Sequence, residues 1–576
     1  HVYFVNYADQ AVYCQPIEKV EFGADQKSEA RLITTPNSGF RYADFIYDSK
    51  RERLICVRED HGGQGSLESA ASKVSNCIVS LPMAEAIVTH GEVLFSDSDF
   101  VSSPALSADA STLAFIWWDH PNMPWDITTL TVASLTDDGY FSEVTHVQGP
   151  CPASILQPRF NGDGQLYVIS DWSGWWNIYR YDLSCFTDGA EPVNVCPLRA
   201  EACSAQWQLG KYNYDFGVDG SIAVSICSEG HWSLLHIYAE VAQATHQGDL
   251  SYETILDGFG HIDCLSVSGE TLYFCGATST DLPGVYSVAL PSGSGDGREL
   301  IPERLIGTVT KLTHASISRP LNVEFDTGEN EKAYAFFYPP TNSHVRTEGG
   351  DKPPLIVGVH GGPTSAARAV LNLKVQFWTS RGFAFLDVNH RGSTGWGRQY
   401  RHRLYQCWGV VDIEDIENGV RQMIDEGFVA PDRIAIRGGS AGGYSVMACL
   451  ANSKLFSAGA SYYGISDLEI LAQETHKFEA HYLDSLIGPL PETKNRYIER
   501  SPINKIRNIS APLLLLQGLE DKVVPPSQAE LICNKLQRQG TEVTYLTFSD
   551  EGHGFRQSKN QIRALNAELE FYLKYL

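Results

Sequence analysis

Up to about residue 320 the hydrophobic positions fall in short runs that alternate with polar ones or stand as compact apolar blocks. None of these stretches carries the 3.6-residue period of an amphipathic helix. Gly, Asp, Asn and Ser punctuate the runs. One arrangement recurs: an apolar strand, a polar turn, then a strand rich in aromatic or β-branched residues. It starts at Val2, Leu54, Leu113, Leu166, Ile222 and Leu272, so successive starts lie roughly 50 residues apart, the length of a four-stranded propeller blade. Shorter strands such as FRYADFIYD fill the intervals. The pattern predicts a β-propeller of six or seven blades, with seven the expected count and the first blade incomplete. An array of β-sandwiches is the competing arrangement, because the repeats share little residue identity.

From about residue 330 the pattern changes. AYAFFYPP, PLIVGVHGG, FAFLDVNHRG, RIAIRGGS and PLLLLQG are short, apolar and bounded by Gly or Pro, as strands buried on both faces of a parallel sheet are. Helical patterns separate them. The last runs from Gln561 to Leu576, with Ile562, Leu565, Leu569 and Leu573 on one stripe. The chain thus divides into an all-β domain, 1–325, and an α/β domain of the α/β-hydrolase type, 326–576.

Composition narrows the function classes. The 44 Lys plus Arg against 69 Asp plus Glu give a net charge of −25, which argues against nucleic-acid partners and anionic membranes. No apolar stretch reaches the length of a membrane-spanning helix. Thirteen cysteines, many inside apolar runs and without compact spacing, predict buried reduced thiols and a cytoplasmic location rather than a disulfide framework. The chain begins at His1 without a Met, so its start is silent on a signal peptide.

The chemistry concentrates in the α/β half. Gly438-Gly439-Ser440-Ala441-Gly442 is a G-x-S-x-G, a short motif that means little alone. Here a strand, RIAIR, precedes it and a helix-like GGYSVMACLA follows. That is the strand–turn–helix of a nucleophile elbow, which makes Ser440 the candidate nucleophile. Asp521 follows the apolar strand LLLLQG, and His553 follows the strand TEVTYLTF, so the order Ser440, Asp521, His553 is that expected of an α/β-hydrolase triad. Glu520 is the alternative acid. Gly362, in HGGP after a buried strand, and Ala441, beside the serine, are the candidate oxyanion donors through their backbone N–H groups.

Other features carry less. Asn389–Gly397 is a glycine-rich loop without the G-K-[ST] of a phosphate cradle, and reads as a site wall. Trp117, Trp118, Trp125, Trp175 and Trp176 read as core more than as cavity lining. His476, Glu479 and His481 lie close in sequence but lack a recognised ligand spacing, so no metal and no cofactor is predicted.

HGGP, NHRGSTGWG, GGSAGGY, GLEDKVVP and DEGHGF, taken in that order, resemble the prolyl oligopeptidase family, in its acylaminoacyl-peptidase and dipeptidyl-peptidase-like branch. HPNMPWD and SGWWNIY in the first half extend the resemblance over nearly the whole chain. It implies a propeller, usually of seven blades, covering an α/β-hydrolase active site, with short peptides or N-acylated amino acids as substrates. A homo-oligomer is compatible with this reading. The chain departs from the branch at His390 and Trp396, where Tyr is commoner. Val523 stands where some relatives carry a substrate-binding Arg or Asn, and no paired glutamates for a free α-amine are recognisable. Hydrolysis of a non-peptide ester or amide is the second reading, and a non-catalytic scaffold a third that the intact triad opposes.

Overall fold

The computed structural model describes residues 1–17, 30–62, 74–83, 88–147, 149–181, 192–242, 252–291, 300–328, 330–345 and 350–576. Among these, everything up to Gly307 is β-structure apart from one short helical turn, Ala239–Ala242. A three-stranded sheet opens the chain. Four-stranded meanders follow, beginning at Phe40, Phe100 and Ile155, and then comes a seven-stranded sheet from Tyr214 to Gly307. The 17-residue strand Tyr252–Ser268 joins two meanders within that last sheet. Its first half pairs with His231–Ile237 and its second with Thr271–Thr278. Counted this way the described strands make six blade-like units, one short of the seven expected.

The units lie side by side through their first strands, stapled by side chains. Asp44 accepts from Ser103 N at 2.6 Å, Asn213 N donates to Gln157 Oε1 at 2.8 Å, and Lys211 Nζ pairs with Asp263 Oδ2 at 2.6 Å. Each of four first strands carries a bulge whose residue adopts positive φ: Asp44 at 59°, Ser103 at 54°, Gln157 at 51° and Cys264 at 56°. The pairing register shifts at each of these points. The units therefore share a backbone event that their sequences do not display.

The C-terminal part is an eight-stranded sheet. In spatial order its strands are Leu321–Thr327, Glu331–Tyr338, Ala384–Asn389, Leu355–Val359, Ile434–Gly439, Ala458–Tyr462, Leu513–Gly518 and Val543–Phe548. The last six are parallel, and the first two are antiparallel additions at one edge. Leu321–Thr327 belongs to this sheet, so the α/β fold begins upstream of residue 326. Helices cover both faces, and the central strands Leu355–Val359 and Leu513–Gly518 are buried throughout. The closing helix Ser558–Tyr575 is tied to the sheet by a buried ion pair, Glu568 with Arg437 at 2.8 Å.

The two halves meet over charged as well as apolar groups. Arg401, with no exposed surface, pairs with Asp171 at 2.5 Å and approaches Glu201 at 3.8 Å. Its guanidinium lies over Trp176, 4.0 Å from the ring centre. Glu201 also accepts from Gly397 N at 3.0 Å and from Trp176 N at 2.8 Å. Arg398 reaches Asp171 at 2.8 Å, and Tyr405 hydrogen-bonds Asp126. Arg401→Met would leave buried Glu201 without a counter-charge and Asp171 with Arg398 alone, so we expect it to cost about 3–5 kcal/mol. The loss should appear as a lower denaturant midpoint, and Asp171→Leu in the same background should recover part of it.

Candidate active site

Ser440 joins the strand Ile434–Gly439 to the helix Ala441–Asn452 at φ 58°, ψ −123°, a backbone region that ordinarily costs about 1–3 kcal/mol. Neighbouring hydrogen bonds hold it there: Ser440 N donates to Tyr462 O at 3.0 Å, and Tyr444 N donates to Ser440 O at 3.0 Å. The glycines of the motif have a steric cause. A Cβ on Gly438 would stand 2.5 Å from the backbone of Gly442, and one on Gly442 would stand 2.3 Å from Val359 O. The turn closes only because both lack side chains.

Asp521 follows the strand Leu513–Gly518 and is buried. Its Oδ1 accepts from Val523 N and Val524 N, both at 2.9 Å, which fixes the carboxylate. Its Oδ2 is left to face His553 Nδ1 at 2.8 Å. With Nδ1–H donating to a carboxylate, the imidazole presents its Nε2 lone pair. Glu520 makes no bond to His553 among the described residues. Tyr463 packs against the imidazole, its ring centre 4.8 Å away.

Ser440, His553 and Gly362 line one cavity of about 1100 Å³ whose walls come from both halves of the chain. A side recess of about 30 Å³ adjoins it, bounded by Ser440, Ala441, Gly362, Pro363 and an apolar set that includes Ile465 and Leu483. The N–H groups of Gly362 and Ala441 have no acceptor among the described hydrogen bonds. Ala441 opens its helix, where the N–H groups are free by geometry and the dipole favours negative charge. Two unpaired N–H groups beside a strained serine can receive a developing oxyanion.

The loop Asn389–Gly397 is wall and brace. Ser393 Oγ contacts His360 Nε2 at 2.8 Å, and Arg391 pairs with Asp415, Glu331 and Glu414. His390 stacks on His360 with ring centres 4.7 Å apart. Burial pushes His360 down to about 3 and His390 to about 4, so both stay neutral beside the HGGP turn.

The candidate ligands His476, Glu479 and His481 do not share a site. His476 Nε2 meets Glu479 at 3.3 Å, while His481 turns to Asp484 at 2.8 Å. Ligand atoms of Asp263, Cys264 and Cys275 do cluster, but the Lys211 ammonium already sits among them, 2.6 Å from Asp263 and 3.7 Å from Cys264. Of the tryptophans, Trp125 and Trp176 are fully buried, and Trp118 borders the cavity. Residue patterns gave no sign of Trp207, whose Nε1–H donates to Thr364 O at 2.8 Å across the two halves, or of Arg368, six residues past Gly362.

Comparison with known proteins places these residues in context. The model of the prolyl oligopeptidase family matches residues 369–576. A solved Mycobacterium tuberculosis puromycin-hydrolyzing peptidase is 36% identical with a TM-score of 0.89, over all of this chain and 84% of that one. A puromycin hydrolase structure is 31% identical with a TM-score of 0.88 and the same coverage. Dipeptidyl aminopeptidase BIII of Pseudoxanthomonas mexicana is 32% identical over 286 residues, 47% of this chain and 41% of its own. The match to this curated relative thus spans less than half of its length.

The elbow glycines give a direct check on this geometry. Gly442→Ala should cost about 1–3 kcal/mol by overpacking against backbone that cannot yield. It should also slow fluorophosphonate labelling of the protein at least about tenfold, since a ~1.4 kcal/mol misplacement already has that effect. Gly162→Ala, with open space around its Cβ position, should change neither measurement.

Proposed function

This chain belongs to the prolyl oligopeptidase family, and we propose that it is a serine peptidase acting on short peptides or N-acylated amino acids through Ser440, His553 and Asp521. The observation that carries the reading is the Asp521–His553 hydrogen bond of 2.8 Å, whose imidazole opens onto the same cavity as Ser440. In this scheme His553 Nε2 takes the proton of Ser440 Oγ as the hydroxyl attacks the scissile carbonyl. The N–H groups of Gly362 and Ala441 receive the oxyanion. His553 then gives its proton to the leaving amine, and water resolves the acyl-enzyme by the same steps. Asp521 holds the imidazole in the required tautomer and steadies its charged form.

The recess of about 30 Å³ supports a small apolar residue on the acyl side of the bond, since that room equals only a few waters. No helix is long and apolar enough to cross a membrane, among the described residues. A cytoplasmic setting is our reading of the twelve described cysteines, which are free and mostly buried. The substrate class is tested with matched chromogens: an acyl-amino acid, a free-amine dipeptide and a simple ester. Turnover of the ester alone would replace the peptidase reading with that of an esterase.

Two further outcomes follow from the scheme. Asp521→Asn should depress kcat by about 10⁴, because the wrong tautomer of His553 becomes favoured. Glu520→Gln should change it less than about tenfold, and Ser440→Ala should abolish both turnover and fluorophosphonate labelling. A reversed order of the two acid variants would move the acid to Glu520.

We also read the all-β half as a propeller that limits entry to the cavity. A folded protein could reach Ser440 only by local unfolding. A short peptide should therefore be cleaved at least about 100-fold faster than the same bond displayed in a loop of a stable folded protein, a gap that ~3 kcal/mol of required opening would produce. Comparable rates would show an open site.

A further inference from the structure

The cavity wall carries a cation that the triad does not use. Arg368 is exposed to the cavity it lines, yet its guanidinium has no hydrogen-bond or ion-pair partner among the described residues. The other arginines at structural positions behave differently: Arg401, Arg391 and Arg437 each hold at least one carboxylate. The acid whose charge acts on Arg368, Asp263, is already engaged by Lys211 at 2.6 Å and by His261 at 3.1 Å. Surrounding protein desolvates Arg368 enough to pull its pKa below the ordinary value, against the opposing pull of Asp263 and Cys227.

The segment that carries Arg368 is fixed from both sides. Asn389 Oδ1 accepts from Ala367 N at 2.7 Å, and Leu371 N donates to Thr278 O at 2.7 Å across the halves. Ala369 O lies so close to Gly260 that a Cβ there would stand 2.2 Å away. Such a clamp fixes the stretch of backbone from which the guanidinium extends. Arg368 follows the oxyanion loop directly, six residues after Gly362, so it stands within about 20 Å of the oxyanion position.

From this placement we propose that Arg368 is the docking point for the free α-carboxylate of a peptide substrate. The proposal rests on the serine-peptidase reading above. Chemistry fixes the direction: an α-carboxylate ends the segment C-terminal to the scissile bond, so it belongs to the leaving fragment. The span from Gly362 restricts that fragment to a few residues, at about 3.3–3.6 Å each when extended. A planar guanidinium offers a carboxylate two parallel N–H bonds, and none of its donors is committed elsewhere. Lys522 and Arg556 also border the cavity, on the side of Asp521 and His553, and they are the competing cations.

The test compares two peptides of one sequence, ending in a free acid or in a carboxamide. kcat/KM is measured on the full chain, and Kd on the Ser440→Ala protein. The free acid should be favoured about 10- to 100-fold in both, the range of a charge-assisted hydrogen bond. In Arg368→Gln the acid-to-amide ratio should fall to about one, through KM and Kd rather than kcat, while Arg368→Lys keeps part of it. A wild-type ratio near one overturns the proposal. So does a ratio that survives Arg368→Gln but disappears in Arg556→Gln or Lys522→Gln. A ratio present in Kd without turnover of either peptide supports the carboxylate site and counts instead against the peptidase reading.

Discussion

One buried guanidinium holds the architecture together. Arg401 is the counter-charge for Asp171 and Glu201 at the contact between the α/β sheet and the β-units, and all three are out of water. Desolvating such a group is costly, and the cost is offset only where partners are met at good distance. The contact is therefore specific: a displaced half would strand charges that no other position can neutralise. Backbone bonds follow the same seam, with Arg398 N donating to Gly174 O and Leu371 N to Thr278 O. The cavity exists because this seam fixes two walls that the chain makes separately.

Inside it, the reactive geometry depends on small local necessities. Ser440 keeps its strained backbone because Gly438 and Gly442 leave room for the turn and because Tyr462 O accepts its N–H. Asp521 spends one oxygen on two backbone N–H groups and has the other free for His553. The stacked pair of His360 and His390 is neutral and packs next to the HGGP turn without adding charge there. Stacking on His360 gives the flat ring of His390 a function of packing.

Much of this was legible in the chain, and for local reasons. The G-x-S-x-G, the apolar strands before Asp521 and His553, and HGGP each write strand, turn and residue type within a dozen positions. The β-units were legible as repeats of length, but their number was not. The strand Tyr252–Ser268 serves two units at once, and bulges interrupt the alternation by which a strand is recognised. The first strand of the α/β sheet, LNVEFDT, has mostly exposed positions and no apolar run, so the change of fold reads later in sequence than it occurs. Contacts such as Arg401 with Asp171, 230 residues apart, leave no trace in either segment alone. Arg368 has no signal in the sequence, because a single Arg among small residues forms no pattern.

The bulges have a consequence beyond their units. Asp44, Ser103, Gln157 and Cys264 occupy the same backbone event in four of the repeats, yet they are an acid, an alcohol, an amide and a thiol. The conformation is retained while the chemistry is free to differ. The units thus carry a row of positions that differ in side chain, of which Asp44 and Gln157 are tied to the neighbouring unit. One can change without disturbing the ladder of its neighbours, because the irregularity is borne by the main chain. The side chains at these places thus differ from unit to unit, while the α/β sheet that carries Ser440 stays as it is.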